Sequence, residues 1–284
     1  MHDDGQTPNP SGQDFSISII GLGAVSSAHL SAYEALSQVR IKSVCDVDST
    51  RSDAVAKRYG AKAFSDYQDL LQDGGLDLAV VLTPASTHRE IVEAAAASGM
   101  HVLCEKPLAG SAEDGRAMVD ACRRASVKLF YGASYRFLPA LIKAREIISS
   151  GGIGDVLLLR EELIGGAGID AYTQLSAVHY PHGGPGGAGM GMVDHGVHLI
   201  DIFPWLIGSD ITHISGQGQI SGAAPITEYA FMTFANGASG HLLYHAATFA
   251  DGLPQEGVFS AGQGWAVDGS ITQAGLWDDA PGSI

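Results

Sequence analysis

Cysteine is scarce in this 284-residue chain: Cys45, Cys104 and Cys122 are dispersed, odd in number and without metal-ligand spacing. That excludes a disulfide framework. Cys45 and Cys104 stand inside apolar runs, where a thiol behaves as a small hydrophobe, and reduced buried thiols suit a cytoplasmic protein. Basic charge is also short, with 16 Lys+Arg against 31 Asp+Glu, a net charge of −15 and a pI near 4.9. Nucleic acid is excluded as a partner, because neutralising phosphates needs a basic surface. No uncharged apolar run reaches about 18 residues and no apolar segment follows the start, so neither a membrane span nor a secretory leader is expected. Long disordered stretches are not expected either, since hydrophobic residues make up 45% and mean hydropathy is +0.12. Residues 1–14 are the exception: polar, unpatterned and proline-containing, they read as a loose arm.

What the chain does have is a regular alternation. Short apolar runs at Phe15–Ile20, Ile41–Cys45, Leu78–Leu82, His101–Cys104 and Lys128–Tyr131 are expected to be strands. Between them, Val25–Leu36, Ser49–Tyr59, Tyr67–Leu71, His88–Ser98 and Ala112–Ala125 read as helices. Near-continuous apolar strands separated by helices indicate an α/β domain, a doubly wound parallel sheet covered on both faces, over residues 15–134. The pattern then changes. A helix at Pro139–Ser149 stops at Ser150-Gly151-Gly152, and a strand-like run covers Val156–Leu163. The glycine-rich passage from Gly165 to Gly191 reads as a substrate-facing loop. An amphipathic segment, Val193–Leu206, leads into β-rich runs from Ile211 on, where Asn236-Gly237 is a hairpin signal. Residues 135–284 therefore read as an α+β domain on a largely antiparallel, open sheet.

The first strand runs into Gly21-Leu22-Gly23-Ala24-Val25-Ser26, a dinucleotide-binding turn with serine at its third glycine position. Gly21 permits the tight turn, Gly23 leaves room for a pyrophosphate, and Ala24 and Val25 open the helix below it. Asp46, 20 residues beyond Ser26, ends the second strand where an acid accepts hydrogen bonds from an adenosine ribose. A 2′-phosphate would meet a like charge there, so NAD is favoured, with NADP as the alternative because Arg51 could be recruited to a phosphate. Asp48 fits a helix cap better. Thr83-Pro84 and His88 follow another strand end and are assigned to the cofactor, as are Glu105 and Lys106 at the next one.

Glu105-Lys106-Pro107 places a lysine where it could polarise a carbonyl or steady an alkoxide during hydride transfer. The proline fixes the backbone and allows a cis peptide, either of which would aim the lysine. Asp194, His198 and Asp201 fall at i, i+4 and i+7, one face of a helix. That spacing suits a core or capping histidine, an acid–base pair or a metal site. Against a metal, no third convergent cluster is visible.

GLGAVSSAH, VCDVD, LTPASTH, CEKPLA, YGASYRF and DHGVHLID, in that order, resemble the Gfo/Idh/MocA oxidoreductases, over about residues 15 to 260. The resemblance implies a Rossmann domain, a C-terminal domain with an open, mostly antiparallel sheet, and NAD or NADP chemistry on sugars, inositol and related polyols. It implies that Lys106 orients the substrate, that His198, with Asp194, is the base taking the hydroxyl proton, and that Tyr135 and Arg136 contact the substrate. A homo-oligomer through the C-terminal sheet is the implied assembly. The chain stops at Ile284, whereas family members usually continue for tens of residues. Rival readings are an NAD-dependent glycoside hydrolase or lyase without net redox, and a dinucleotide-binding regulator.

Overall fold

A computed structural model describes residues 14–164, 192, 196–221 and 224–245. The expected N-terminal arm, the glycine-rich passage to Gly191, Asp194 and the C-terminal segment from residue 246 lie outside the described residues, apart from Asp14. The chain divides into two compact units after Gly132, just before the expected boundary at Ser134.

The first unit alternates β1 (Phe15–Ile20), α1 (Ser26–Glu34), β2 (Val39–Cys45), α2 (Ser49–Tyr59), β3 (Lys62–Phe64), α3 (Tyr67–Asp73), β4 (Leu78–Val81), α4 (Ala85–Ala97), β5 (His101–Cys104), α5 (Ala112–Arg124) and β6 (Leu129–Tyr131). All its strands pair in parallel, in the order β3-β2-β1-β4-β5-β6. The alternation of side chains along a strand explains the two helical layers. Ile17, Ile19 and Val80 pack with Leu22, Leu30 of α1 and Ala56 of α2, whereas Ile20, Ala79 and Val81 pack with Leu70, Ile91 and Met118 of α3, α4 and α5. Each fully buried aliphatic contributes about 1.5–3 kcal/mol. The strand order reverses between β1 and β4, so the crevice beyond their carboxyl ends is the topological switch point.

Side chains cap some helices and not others. Asp48 accepts from Thr50 N–H at the start of α2, Asp66 from Gln68 N–H at α3, and Ser111 from Asp114 N–H at α5. The helices α1 and α4, which begin at the switch point, have no side-chain cap and no acidic residue in their first turns.

The second unit holds a 3₁₀ turn (Ser134–Phe137), α6 (Pro139–Ser149), β7 (Leu158–Ile164), α7 (Gly196–Ile207), β8 (Ile211–Ser221), β9 (Ala224–Phe234) and β10 (Ser239–His245). Its sheet runs β7-β10-β9-β8, antiparallel except where β7 pairs with β10. Along β9, Glu228, Ala230, Met232 and Phe234 are buried while Phe231 and Thr233 are exposed, the period-2 signature of a sheet covered on one face. The covered face meets Leu199, Ile202, Phe203 and Leu206 of α7, together with Tyr135 and Leu138. At the hairpin, Gly237 takes φ +88° and donates to Phe234 O at 2.9 Å, while Asn236 Oδ1 accepts from Ala238 N–H at 3.1 Å.

Candidate active site

The backbone ladder of the first unit continues one step past each strand. Gly21 donates to Cys45 O, Leu82 to Ile20 O, Glu105 to Val81 O and Asp46 to Phe64 O, at 2.8–3.2 Å. Gly21, Asp46, Thr83 and Glu105 thus share one edge of the sheet. Gly21 has φ +95°, and a Cβ there would meet Leu82 C and Thr83 N at 2.8 Å, so only glycine fits against β4. A Cβ on Gly23 would face open space. An open cleft of about 570 Å³ is lined by Leu22, Gly23, Ala24, Arg51 and Arg58 among others. Ser26 Oγ donates to Gly23 O at 2.7 Å, so the serine at the third position ties the turn closed.

Asp46 is 8% exposed, and both its oxygens accept backbone amides: Leu22 N–H on Oδ2 at 2.8 Å and Asp48 N–H on Oδ1 at 2.9 Å. It therefore braces the glycine turn against the end of β2, with lone pairs to spare on each oxygen. Arg51 stands 3.9 Å from Asp46 Oδ1 and 3.4 Å from Asp48 Oδ2. Cys45, Cys104 and Cys122 are free and buried, and burial, followed by the charges of Asp66, Asp46 and Asp69, pushes the Cys45 thiol up to about 11.

At β4, Thr83 Oγ1 lies 2.8 Å from Thr87 Oγ1, and Pro84 precedes the first turn of α4. That helix starts at Ala85, not His88. His88, expected on the cofactor side, has a ring that is 0% exposed, and both its nitrogens face backbone carbonyls. Nε2 lies 2.7 Å from Thr83 O and Nδ1 3.1 Å from Leu108 O, so the histidine clamps the turn after β4 to the turn after β5. Burial lowers its pKa, against carbonyl contacts from Thr83, Leu108 and Pro107 that raise it. A neutral ring has one N–H, which goes to the nearer carbonyl, that of Thr83. Since the folded pKa lies below the unfolded one, the unfolded chain binds the extra proton. The contribution is full above the ordinary histidine range, near pH 6.5, and is lost as pH falls below it. His88→Ala is expected to cost roughly 2–4 kcal/mol, from the vacated volume and the orphaned Thr83 carbonyl. Denaturant titrations at neutral and acidic pH check both effects; an unchanged midpoint at neutral pH would refute the clamp.

At β5, Lys106-Pro107 is a cis peptide and Lys106 is half-buried. Glu105 points back onto its own chain, Oε2 accepting from Lys106 N–H at 2.6 Å. Its Oε1 lies 3.1 Å from His29 Nε2, on α1. His29 was not singled out by sequence reasoning; only its position on the helix leaving the glycine turn gives a hint of it.

In the second unit the 3₁₀ turn packs on α7. Tyr135 stacks on His198, ring centroids 4.1 Å apart and planes 6° from parallel, and His198 is 7% exposed. Arg136 forks onto Asp201, Nε–Oδ2 2.7 Å and Nη2–Oδ1 2.6 Å, and those hydrogen bonds raise the Arg136 pKa. Asp201 is thereby an anchor for Arg136, and the expectation that Arg136 binds substrate meets a guanidinium already engaged by a carboxylate. Tyr135, Arg136, His198 and Asp201 are thus assembled by one helix and one turn. Glu228, buried on β9 and missed in the sequence, accepts Met192 N–H at 2.9 Å.

Residues 15–133 match a family model described as GFO_IDH_MocA, oxidoreductase family, NAD-binding Rossmann fold, and residues 141–262 match the GFO/IDH/MocA C-terminal domain. The chain is similar to D-apiose dehydrogenase of Paraburkholderia graminis, 31% identical over 202 residues that cover 71% of this chain and 52% of that protein. Levoglucosan dehydrogenase of Pseudarthrobacter phenanthrenivorans is 30% identical over 206 residues, 69% of this chain and 52% of that protein. The chain spans about half the length of these curated relatives. Among solved structures, myo-inositol 2-dehydrogenase from Lactobacillus plantarum superposes with a TM-score of 0.73 at 22% identity, covering 83% of this chain and 71% of that one, a likeness of fold. GenD2 from gentamicin A biosynthesis, in complex with NAD, superposes with a TM-score of 0.73 at 25% identity, covering 84% of this chain and 67% of that one. The parallel sheet with its glycine turn and the mostly antiparallel sheet of the second unit each fall within a matched family domain: the chain belongs to the Gfo/Idh/MocA oxidoreductases, and its first unit is their NAD-binding Rossmann domain.

Proposed function

We propose that the protein is an NAD(P)-dependent dehydrogenase moving a hydride between a secondary alcohol of a sugar, inositol or related polyol and the dinucleotide. The observation that carries the reading is the shared strand edge of the first unit. It brings together Gly21, Asp46, Thr83 and the Glu105-Lys106 pair at the switch point of a Rossmann sheet. The open space over Gly23 and the uncapped start of α1 suit a pyrophosphate, which a helix N-terminus and its free N–H groups attract. Gly21, Gly23, Ala24, Val25, Asp46, Thr83, Pro84, Glu105 and Lys106 are retained as cofactor-side residues. His88 acts behind them as a support.

Bound dinucleotide supplies the hydride acceptor. Lys106 holds the reacting hydroxyl and favours the alkoxide by its charge. His198, with Asp194, takes the hydroxyl proton, so that carbon loses a hydride, oxygen loses a proton and a carbonyl forms. Tyr135 sets the plane of the His198 ring by stacking, and Asp201 holds Arg136 in place, so the substrate roles proposed for Tyr135 and Arg136 rest on residues with fixed orientations. The curated relatives are named for apiose, levoglucosan and inositol, which favours a sugar or polyol here. They are named dehydrogenases and lend no support to the hydrolase or regulator readings.

Asp46→Ala is expected to weaken NADH binding about tenfold and to narrow the preference over NADPH, read by fluorescence titration. The expected size is about 1.4 kcal/mol, one charge-assisted hydrogen bond to a ribose. Preserved affinity and selectivity would count against the ribose role. The reaction itself is tested on a panel of sugars and polyols with NAD and NADP, following reduced dinucleotide. Sugar release without reduced dinucleotide would select the hydrolase instead.

Among the described residues no helix is long and apolar enough to cross a membrane. A cytoplasmic homo-oligomer is our reading of the setting. On the outer sheet face of the second unit, Tyr229, Phe231 and His241 form an aromatic row, with Phe231 48% exposed, which suits a second copy.

A further inference from the structure

Glu105 is gripped on both oxygens. Oε2 accepts the Lys106 amide at 2.6 Å and Oε1 faces His29 Nε2 at 3.1 Å. An ionised carboxylate only accepts, so Nε2 carries the proton of this contact. The two side chains are 13% and 19% exposed, Glu105 and His29 respectively. Removed from bulk water, such a bond is stronger and more rigid than a surface pair. Tyr33, one turn along α1, keeps its ring centroid 6.1 Å from that of His29. Its hydroxyl is pushed up to about 12, first by burial and then by the Glu105 charge. On the other side, a Cβ at Gly132 would lie 3.1 Å from Cys104 O and Glu105 Cα, so the end of β6 presses on the peptide that precedes Glu105.

We infer that His29 is a positioning residue for Lys106, acting through Glu105. The inference rests on the proposed function for the role of Lys106, but not for the contacts. The imidazole N–H holds the carboxylate, the carboxylate holds the amide of Lys106, and the lysine side chain therefore leaves a backbone restrained against rotation. The same contact ties α1, which starts at the glycine turn, to the strand end that carries the lysine. The dinucleotide turn and the lysine form one unit, and slack in this link misplaces the amine without emptying the cofactor site.

The test uses the 284-residue chain with three substitutions that differ in reach. The amide nitrogen of glutamine falls where Nε2 of histidine stands, and that of asparagine where Nδ1 stands. His29→Ala and His29→Asn are expected to lower kcat by up to about 10²-fold, the scale of a misplaced catalytic group. NADH affinity and thermal midpoint should stay close to those of the parent, and His29→Gln should regain most of the lost kcat. A merely structural histidine would lower the midpoint and do no better as glutamine than as asparagine. A second readout needs no turnover. After reductive ¹³C-methylation, the NMR signal of the Lys106 amine, identified by its loss in Lys106→Arg, should move in the alanine and asparagine variants and return in the glutamine one. If the parent oxidises no sugar or polyol, the proposed function falls and this signal alone decides the inference. An unmoved Lys106 signal in His29→Ala overturns it, as does parental kcat in an active protein.

Discussion

Lys106→Ala is expected to lower turnover of the best sugar or polyol by about 10²–10⁴-fold, the range removed with a positioned acid–base or charge-stabilising group. NADH affinity should fall far less than turnover, because the backbone around residue 106 is fixed by Glu105 and by the ladder bond from Glu105 N–H to Val81 O at 2.9 Å. His198→Gln, which keeps the volume of the ring and its place against Tyr135, should cost about as much in kcat. Steady-state kinetics with NADH titrations separate the two terms. Full activity in both variants would show that the chemistry resides elsewhere.

Gly21→Ala should act on the opposite quantity. The added methyl would stand 2.8 Å from Leu82 C and Thr83 N, main-chain atoms that cannot swing aside, in a backbone with φ +95°. Overpacking costs about 1–3 kcal/mol, and the left-handed backbone adds about 1–2 kcal/mol. Together these lower Tm on the order of 10 °C for a domain of this size, and the displaced turn should no longer hold a dinucleotide. Gly23→Ala is the control: its Cβ meets no protein atom, so the thermal midpoint should hold while NADH binding weakens. Thermal scans with and without NADH distinguish them. Equal midpoints for both variants would mean that the turn shifts without cost.

The sequence was most legible where local signals mark both ends of an element. The bounds of β1, β5, α2 and α6 coincide with those read from apolar runs and helix signals: β1 is buried along nearly its whole length, Asp48 caps α2 and Gly60 ends it, and α6 opens on Pro139. β3 was missed: it is three residues at the sheet edge with Lys62 and Ala63 exposed, too short to show a period. α4 begins at Ala85 because Pro84 opens it, which moves His88 into the body of the helix. Spacing can place a histidine near a strand end but cannot say that both its nitrogens face carbonyls. His29 with Glu105, 76 residues apart, and Arg136 with Asp201, 65 apart, show the same limit. Each residue looks ordinary alone, and only the fold pairs them. Asp48, whose cap is local, was read correctly.

The uneven capping of the first unit has a thermodynamic consequence. A side-chain cap is worth about 1 kcal/mol, and α2, α3 and α5 have one whereas α1 and α4 do not. The free protein therefore lacks that contribution at the two helices of its switch-point edge. A dinucleotide seated there would complete those helices, so part of its binding energy is spent on ordering the protein. Cofactor would then act as a folding ligand as well as a reactant.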